Sequence, residues 1–261
     1  MKKRPLGQNF LIDPSIAQNI IQLAHIQPGE PVVEIGPGKG VLTQLLIQQA
    51  DSLTAIELDP QLSQGLQNRF SNTPSFKLVE GDAAKFDYGS LGVGLNVVSN
   101  LPYYAATHIM KKLIHYRKHI RSMTLMLQKE VVDRLTAKPG LRAYGSLSVY
   151  VHYHCEVQRL LEIPNYAFSP KPKIDSSLIG LTPLPQPRVQ VEDPKLFFKM
   201  VNSAFFHKRK MLKNNLKDWR HLFNKENGQA RLAGIDLNRR GETLSLDEFA
   251  DLANYLHTQN G

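Results

Sequence analysis

From Pro31 to Leu127 the chain repeats one pattern, a short apolar run followed by a stretch with helical spacing. P-V-V-E-I at 31–35, L-T-A-I-E-L at 53–58, F-K-L-V at 76–79, L-N-V-V-S at 95–99 and M-T-L-M-L at 123–127 read as strands. Between and after them, Val41–Gln49, Pro60–Phe70, Ala105–Tyr116 and Lys129–Ala137 read as helices, with Pro60 placed at a helix start. Strands that are apolar on both faces and joined by helices run parallel and are covered on both sides. The pattern predicts an α/β fold, a doubly wound and mainly parallel sheet. Glu156–Ile163 and Ile174–Leu181 bring the strands to seven and read as an antiparallel edge pair.

The rhythm stops near Pro183, where T-P-L-P-Q-P-R-V-Q-V-E-D-P has the proline density of a semi-rigid linker. Beyond it, Lys195–Leu216 and Leu246–His257 have helical spacing and no strand pattern. The expected organisation is a large domain over 1–189 and a small all-α domain over 190–261.

The 261 residues are 42% hydrophobic and 21% charged, ordinary for a globular chain with a substantial core. No apolar run is long enough to span a bilayer, and M-K-K-R-P-L-G-Q-N-F lacks the apolar region of a signal peptide. Cys155 is the single cysteine, which excludes internal disulfides and thiolate metal clusters and suits a reducing cytosol. His152 and His154 would lie on different sides of a helix, and His115 and His119 read as surface residues, so no metal site is expected. A formal net charge of +9 calls for an anionic partner, nucleic acid ahead of a membrane surface.

Chemistry-bearing residues collect where strands end. After Ile35 come Gly36, Gly38 and Gly40, glycines that allow a sharp turn and close approach by a ligand. The G-x-G-x-G spacing differs from the dinucleotide pattern and lacks the Lys-Ser/Thr pair of a P-loop, which suits a nucleoside ligand other than NAD or ATP. Glu57 ends the second strand, where an acid can bond ribose hydroxyls. Asp82 follows the third, where a carboxylate can accept from an adenine amino group. Asn100 ends the fourth, inside the corner S-N-L-P-Y-Y. Each has a plainer counterpart: a structural turn, an exposed strand-end acid, a capping aspartate, a strand-to-helix corner. Convergence of four strand ends on one sheet edge favours a ligand site.

Taken in order, G-Q-N-F-L (7–11), V-E-I-G-P-G-K-G (33–40), I-E-L-D (56–59), G-D-A (81–83), N-L-P-Y (100–103), L-Q-K-E-V-V-D-R-L (127–135), Y-G-S-L-S-V (144–149) and A-F-S-P-K-P-K-I-D-S-S (167–177) resemble the rRNA adenine N6-dimethyltransferase family. The resemblance implies a Rossmann-like seven-stranded methyltransferase sheet. It implies S-adenosylmethionine as cofactor, held by Asn9, Leu11, Gly36, Glu57, Asp82 and Asn100. The implied reaction is methyl transfer to N6 of two adjacent adenosines in the 3′-terminal hairpin of 16S rRNA, in an assembling small subunit. In that setting Asn100 and the Leu101 carbonyl would accept from N6, Pro102 would stiffen the corner, and Tyr103 and Phe168 would cover the two faces of an extruded base. Tyr104 reads as a packing residue.

For RNA, Arg209, Lys213, Lys217 and Arg220 recur at helical spacing from the predicted helix near residue 209 onward, with Lys210 beside them, as a basic stripe that could equally be a solvated face. Lys2, Lys3, Arg4, Lys111 and Lys112 extend the basic surface. A monomeric cytoplasmic enzyme is expected. Two alternatives stay open on the residues alone. One is a DNA adenine N6-methyltransferase, in which a proline usually stands where Leu101 is; the other is a non-catalytic RNA-binding factor on the same scaffold.

Overall fold

The computed structural model describes residues 9–226 and 229–260; Lys2, Lys3, Arg4 and the first two residues of G-Q-N-F-L lie outside them. The elements in chain order begin with β1 (Phe10–Leu11), α1 (Pro14–Leu23), β2 (Pro31–Ile35), α2 (Val41–Gln49), β3 (Ser52–Glu57), α3 (Pro60–Phe70) and β4 (Phe76–Glu80). They continue with β5 (Leu95–Asn100), α4 (Ala106–His115), β6 (Ile120–Gln128), α5 (Lys129–Leu135), α6 (Ser146–His154), β7 (Cys155–Ile163), β8 (Phe168–Ser169) and β9 (Ser176–Pro183). The C-terminal part adds α7 (Pro194–Ala204), α8 (Leu212–Asn215), β10 (Asn224–Glu226), β11 (Gln229–Leu232), β12 (Ile235–Asp236) and α9 (Leu246–Asn260).

Seven strands form one sheet in the order β4-β3-β2-β5-β6-β9-β7. The pairs β3/β4, β2/β3, β2/β5 and β5/β6 are parallel, and β9 runs antiparallel to β6. β9 therefore lies inside the sheet, with β7 beyond it. Strand order reverses at β2, flanked by β3 on one side and β5 on the other, so the crevice at its carboxyl end is the topological switch point where ligands bind in open α/β sheets. Ile35 at the end of β2 lies opposite Ile56 and Ser99, so Glu57 and Asn100 end their strands one residue further on, with Glu57 opposite Glu80. On one face α1 and α2 bury Ala17, Ile20, Leu42 and Leu46 with Val32 and Leu53 of the strands. Three helices begin at Asp-Pro, with Asp13, Asp59 and Asp193 as caps accepting from the first-turn amides. Such caps satisfy amides that would otherwise lack partners, and proline at the first helical position carries none to satisfy.

The chain divides into two compact units, one of Met1–Val132 with Glu156–Pro185 and one of Asp133–Cys155 with Gln186–Gly261. This differs from a single boundary at 189/190. Tyr144, Val149 and Tyr153 of the 133–155 segment bury their side chains among Phe197, Met200, Phe249 and Leu256. Aromatic contacts reinforce this, Tyr153 to Phe197 at 5.2 Å and Tyr144 to Phe205 at 5.9 Å.

The second unit corrects two expectations. Beside its helices it carries a three-stranded antiparallel sheet, β10-β11-β12. The single helix expected over 195–216 ends at Ala204, gives way to a turn, resumes for one turn at α8 and passes into a 3-10 segment, Lys217–Leu222. The reason is a tertiary bond: the Asn215 amide donates to the Ala204 and His207 carbonyls at 2.8 and 3.1 Å and so folds the chain back on itself. Among the described residues no helix is long and apolar enough to cross a membrane.

Candidate active site

A cavity of about 380 Å³ opens at the switch point, lined by the glycine turn, the ends of β3 and β5, the Gly81–Ala84 turn, the Asn100–Ala105 corner and Asn9–Leu11. Gly36, Gly38 and Gly40 all take left-handed backbone, with φ of 65°, 60° and 79°, which only glycine adopts without strain. A Cβ on Gly38 would stand 3.0 Å from the Phe10 ring, and one on Gly40 would stand 3.0 Å from Leu66. The turn is thus pressed between β1 and α3, leaving bare backbone toward the cavity.

Glu57 is 3% exposed and ties this turn to its own strand. Its Oε2 accepts from the Gly38 amide at 3.1 Å and its Oε1 from the Asp59 amide at 2.9 Å. Burial raises its pKa above the usual carboxylate range, and these amide bonds oppose the rise. Each carboxylate oxygen keeps a further lone pair, so the group can still receive a pair of hydroxyls. Glu34 is fully buried on β2, where its Oε2 accepts from the Thr43 hydroxyl at 2.7 Å. Burial, helped by the charge of Glu57, pushes its carboxyl up to about 8. Asp82 does what the plainer reading asks, capping its turn through the Ala84 amide at 2.9 Å, and it also lines the cavity.

The corner after β5 is held from the N-terminal side. The Asn100 amide nitrogen donates to the Asn9 carbonyl at 3.2 Å, leaving Oδ1 as the acceptor of that side chain. β1 is positioned for this by pairing with β8, Leu11 opposite Phe168. Pro102 packs close to the Gly36 backbone. Tyr103 is half-buried, and its hydroxyl shares a 2.6 Å bond with the Ser176 hydroxyl on β9.

Asn9, Leu11, Gly36, Glu57, Asp82, Asn100, Leu101, Pro102 and Tyr103 thus all line one cavity. Two expectations are corrected. Phe168 is 2% exposed and packs in the core with Leu11 and Ile20 instead of lining the cavity, because the β1/β8 pairing turns it inward. Tyr104 is not a packing residue: it is 58% exposed on the cavity rim. Its phenol pKa is raised by partial burial and by the charges of Asp82 and Glu57. Glu34 and Phe10 also line the cavity, and Lys39 lies over the Phe10 ring at 5.0 Å. The signal for Glu34 was its place inside V-V-E-I, a charge in a strand apolar on both faces.

The basic stripe does not form. Arg209 and Lys210 are exposed on the turn after α7, while Lys217 and Arg220 lie in the 3-10 segment. Lys213 on α8 donates to the Asn238 side chain at 2.7 Å. Lys112 lies over the Tyr116 ring at 4.9 Å. Among the described residues no group of three or more His, Cys, Asp or Glu is placed to share a metal ion.

The donor set fits an adenosine cofactor. It combines a glycine cradle that a Cβ would fill, a buried acid at the second strand end and a turn carboxylate at the third. A family profile described as Ribosomal RNA adenine dimethylase matches residues 1–258. The chain is 41% identical to Ribosomal RNA small subunit methyltransferase A of Clostridium acetobutylicum, over 97% of this chain and 92% of that one. It is 40% identical to the protein of the same name from Aromatoleum aromaticum, over 97% and 94%. A solved dimethyladenosine transferase from Plasmodium falciparum superposes with a TM-score of 0.78 at 25% identity, covering 96% of this chain and 98% of that one. The 23S rRNA methyltransferase ErmE shares the fold, with a TM-score of 0.73 at 22% identity over 95% and 100%.

Proposed function

The chain belongs to the ribosomal RNA adenine dimethylase family, and from that premise we propose that it transfers methyl groups from S-adenosylmethionine to N6 of two adjacent adenosines in the 3′-terminal hairpin of 16S rRNA. The product is N6,N6-dimethyladenosine, formed in the cytoplasm on an assembling small subunit by a monomeric enzyme. The unit of 1–132 with 156–185 carries the chemistry, and the unit of 133–155 with 186–261 binds RNA. The observation that carries this reading is the fixed Asn100 amide, whose nitrogen is held by Asn9 and whose oxygen remains for a donor in the cavity.

S-adenosylmethionine supplies, when bound, a methyl group already activated on a sulfonium. Glu57 would receive the ribose hydroxyls, Asp82 the adenine amino group, and the Gly36–Gly40 backbone the rest of the molecule with Asn9 and Leu11. The target amine is a poor nucleophile because its lone pair is delocalised into the ring. The Asn100 Oδ1 and the Leu101 carbonyl would accept its two hydrogens, favour a pyramidal nitrogen and aim the lone pair at the methyl carbon. The amine that takes the methyl group would release a proton to solvent. Pro102 fixes the backbone bearing both acceptors, so no ordering of the corner is needed during reaction. Tyr103 gives the extruded base a stacking face.

The test is transfer of labelled methyl from S-adenosylmethionine to small subunits lacking the modification, followed by nucleoside analysis. N6,N6-dimethyladenosine is the expected product; methylation of DNA alone would overturn the proposal.

A further inference from the structure

α7 ends in a turn whose two consecutive phenylalanines go opposite ways. Phe205 points into the core and packs on Tyr144 and Phe249, at 5.9 and 5.7 Å. Phe206 is 78% exposed, more than any other large apolar side chain described. Its ring contact is with the neighbouring His207, edge-on at 4.7 Å. The turn is pinned. Asn215 donates to the carbonyls of Ala204 and His207 and accepts from the His207 amide at 3.3 Å, and the Lys210 amide returns to His207 at 2.9 Å. His207, Lys208, Arg209 and Lys210 that follow are all exposed, and among the described residues no carboxylate pairs with the three cations.

An exposed phenylalanine gains nothing for the fold. It is fixed on a pinned turn beside cations that have no acidic partner among the described residues, Lys208 donating only to the Arg142 carbonyl at 3.4 Å, and so has the two components that sequence-tolerant single-strand binding requires. These are a ring on which a base stacks and charges that follow the phosphates. An anionic lipid surface shares the charge preference, but membrane-binding segments present a broad apolar face, and here one ring stands on a short turn.

We propose that Phe206 is a stacking platform for an unpaired base of the RNA substrate, with Lys208, Arg209 and Lys210 taking the adjoining phosphates. This rests on the reading of the chain as an RNA methyltransferase. It adds a base contact to a surface expected to contact phosphates alone.

The experiment uses the full-length chain, with a labelled twelve-nucleotide oligoadenylate and the same oligomer made of abasic nucleotides as probes. Phe206→Ala is expected to weaken binding of the oligoadenylate about 5-fold or more, the range of one base–aromatic stack. It should leave the salt slope unchanged, since stacking releases no counterions. Phe206→Trp should bind as tightly as the parent. The abasic oligomer should bind parent and alanine variant equally. Unchanged oligoadenylate binding, or equal losses on both oligomers, would overturn the proposal. So would a loss confined to phosphatidylglycerol vesicles, which would assign the turn to a membrane surface. The methyltransferase reading is judged separately, by methyl transfer from the parent protein to unmethylated small subunits.

Discussion

Glu34 and Glu57 are buried carboxylates on adjacent strands, and their surroundings give them different work. Glu57 holds two backbone amides and keeps lone pairs for a ligand. Glu57→Ala should weaken S-adenosylmethionine binding about tenfold or more by calorimetry, because bonds to a charged acceptor are worth roughly 1.5–3 kcal/mol each; unchanged affinity in a folded variant would remove it from the site. Glu34 has a hydroxyl partner and a raised folded value, from 4.5 to about 8. A carboxyl that stays protonated in the fold but ionises in the unfolded chain stabilises below its unfolded value and loses that contribution as pH rises through the folded one. Native stability should therefore fall between about pH 4.5 and 8 by a few kcal/mol, at about 1.4 kcal/mol per unit. Glu34→Gln should flatten that slope in urea unfolding series; an unaltered slope would assign it to other groups. At Tyr103 the hydroxyl is engaged with Ser176, so the ring is aimed as well as present. Tyr103→Phe and Ser176→Ala should each slow single-turnover methyl transfer about fivefold, for one buried hydrogen bond of about 1 kcal/mol. The double variant should lose no more than either single one, since both remove the same bond. Additive losses would separate the two residues. None of this bond was readable beforehand, since it joins positions on two strands far apart in the chain.

At the scale of elements, legibility followed the range of the interactions that decide each boundary. β2, α2, α3 and β5 came within a residue or two, because apolar period, Asp-Pro caps and glycine stops are local signals. The glycine turn, the acid at the end of β3 and the corner after β5 were readable for the same reason. The break in 195–216 was not, because no glycine or proline marks it and Asn215 imposes it from eight or more residues away. Phe168 was misplaced because strand pairing between β1 and β8 settles its direction. A close approach of the same long-range kind is testable in the second unit. A Cβ on Gly241 would stand 2.8 Å from the Ala204 carbonyl oxygen, at the end of α7. Gly241→Ala should destabilise by about 1–3 kcal/mol. Gly65→Ala, on the open face of α3 with nothing within 4 Å, should stabilise by about 0.5–1 kcal/mol. Denaturant midpoints of the two variants check the contrast; a tolerated Gly241→Ala would mean that the Ala204 carbonyl yields.

The whole molecule carries a formal charge of +9, and where that charge is free decides how it meets RNA. Each cation that neutralises a phosphate releases a condensed counterion, so affinity falls with salt at a slope of about 0.7–0.9 per contact. Arg209 and Lys210 are exposed and without acidic partners among the described residues, whereas the Lys213 ammonium is already engaged by Asn238 at 2.7 Å. Combined Arg209→Gln and Lys210→Gln should make the log–log salt dependence of RNA binding shallower by between one and two. Lys213→Gln should change it much less, because its ammonium must first leave Asn238 to reach a phosphate. Affinity for S-adenosylmethionine should stay the same in all of these variants, since their positions lie on the C-terminal unit and the cavity is lined by residues 9–109. Anisotropy titrations with the small-subunit 3′ hairpin from low to physiological salt measure the slope directly. Equal slopes for all variants would mean that the charge acts as a diffuse field, with these side chains making no phosphate contacts of their own.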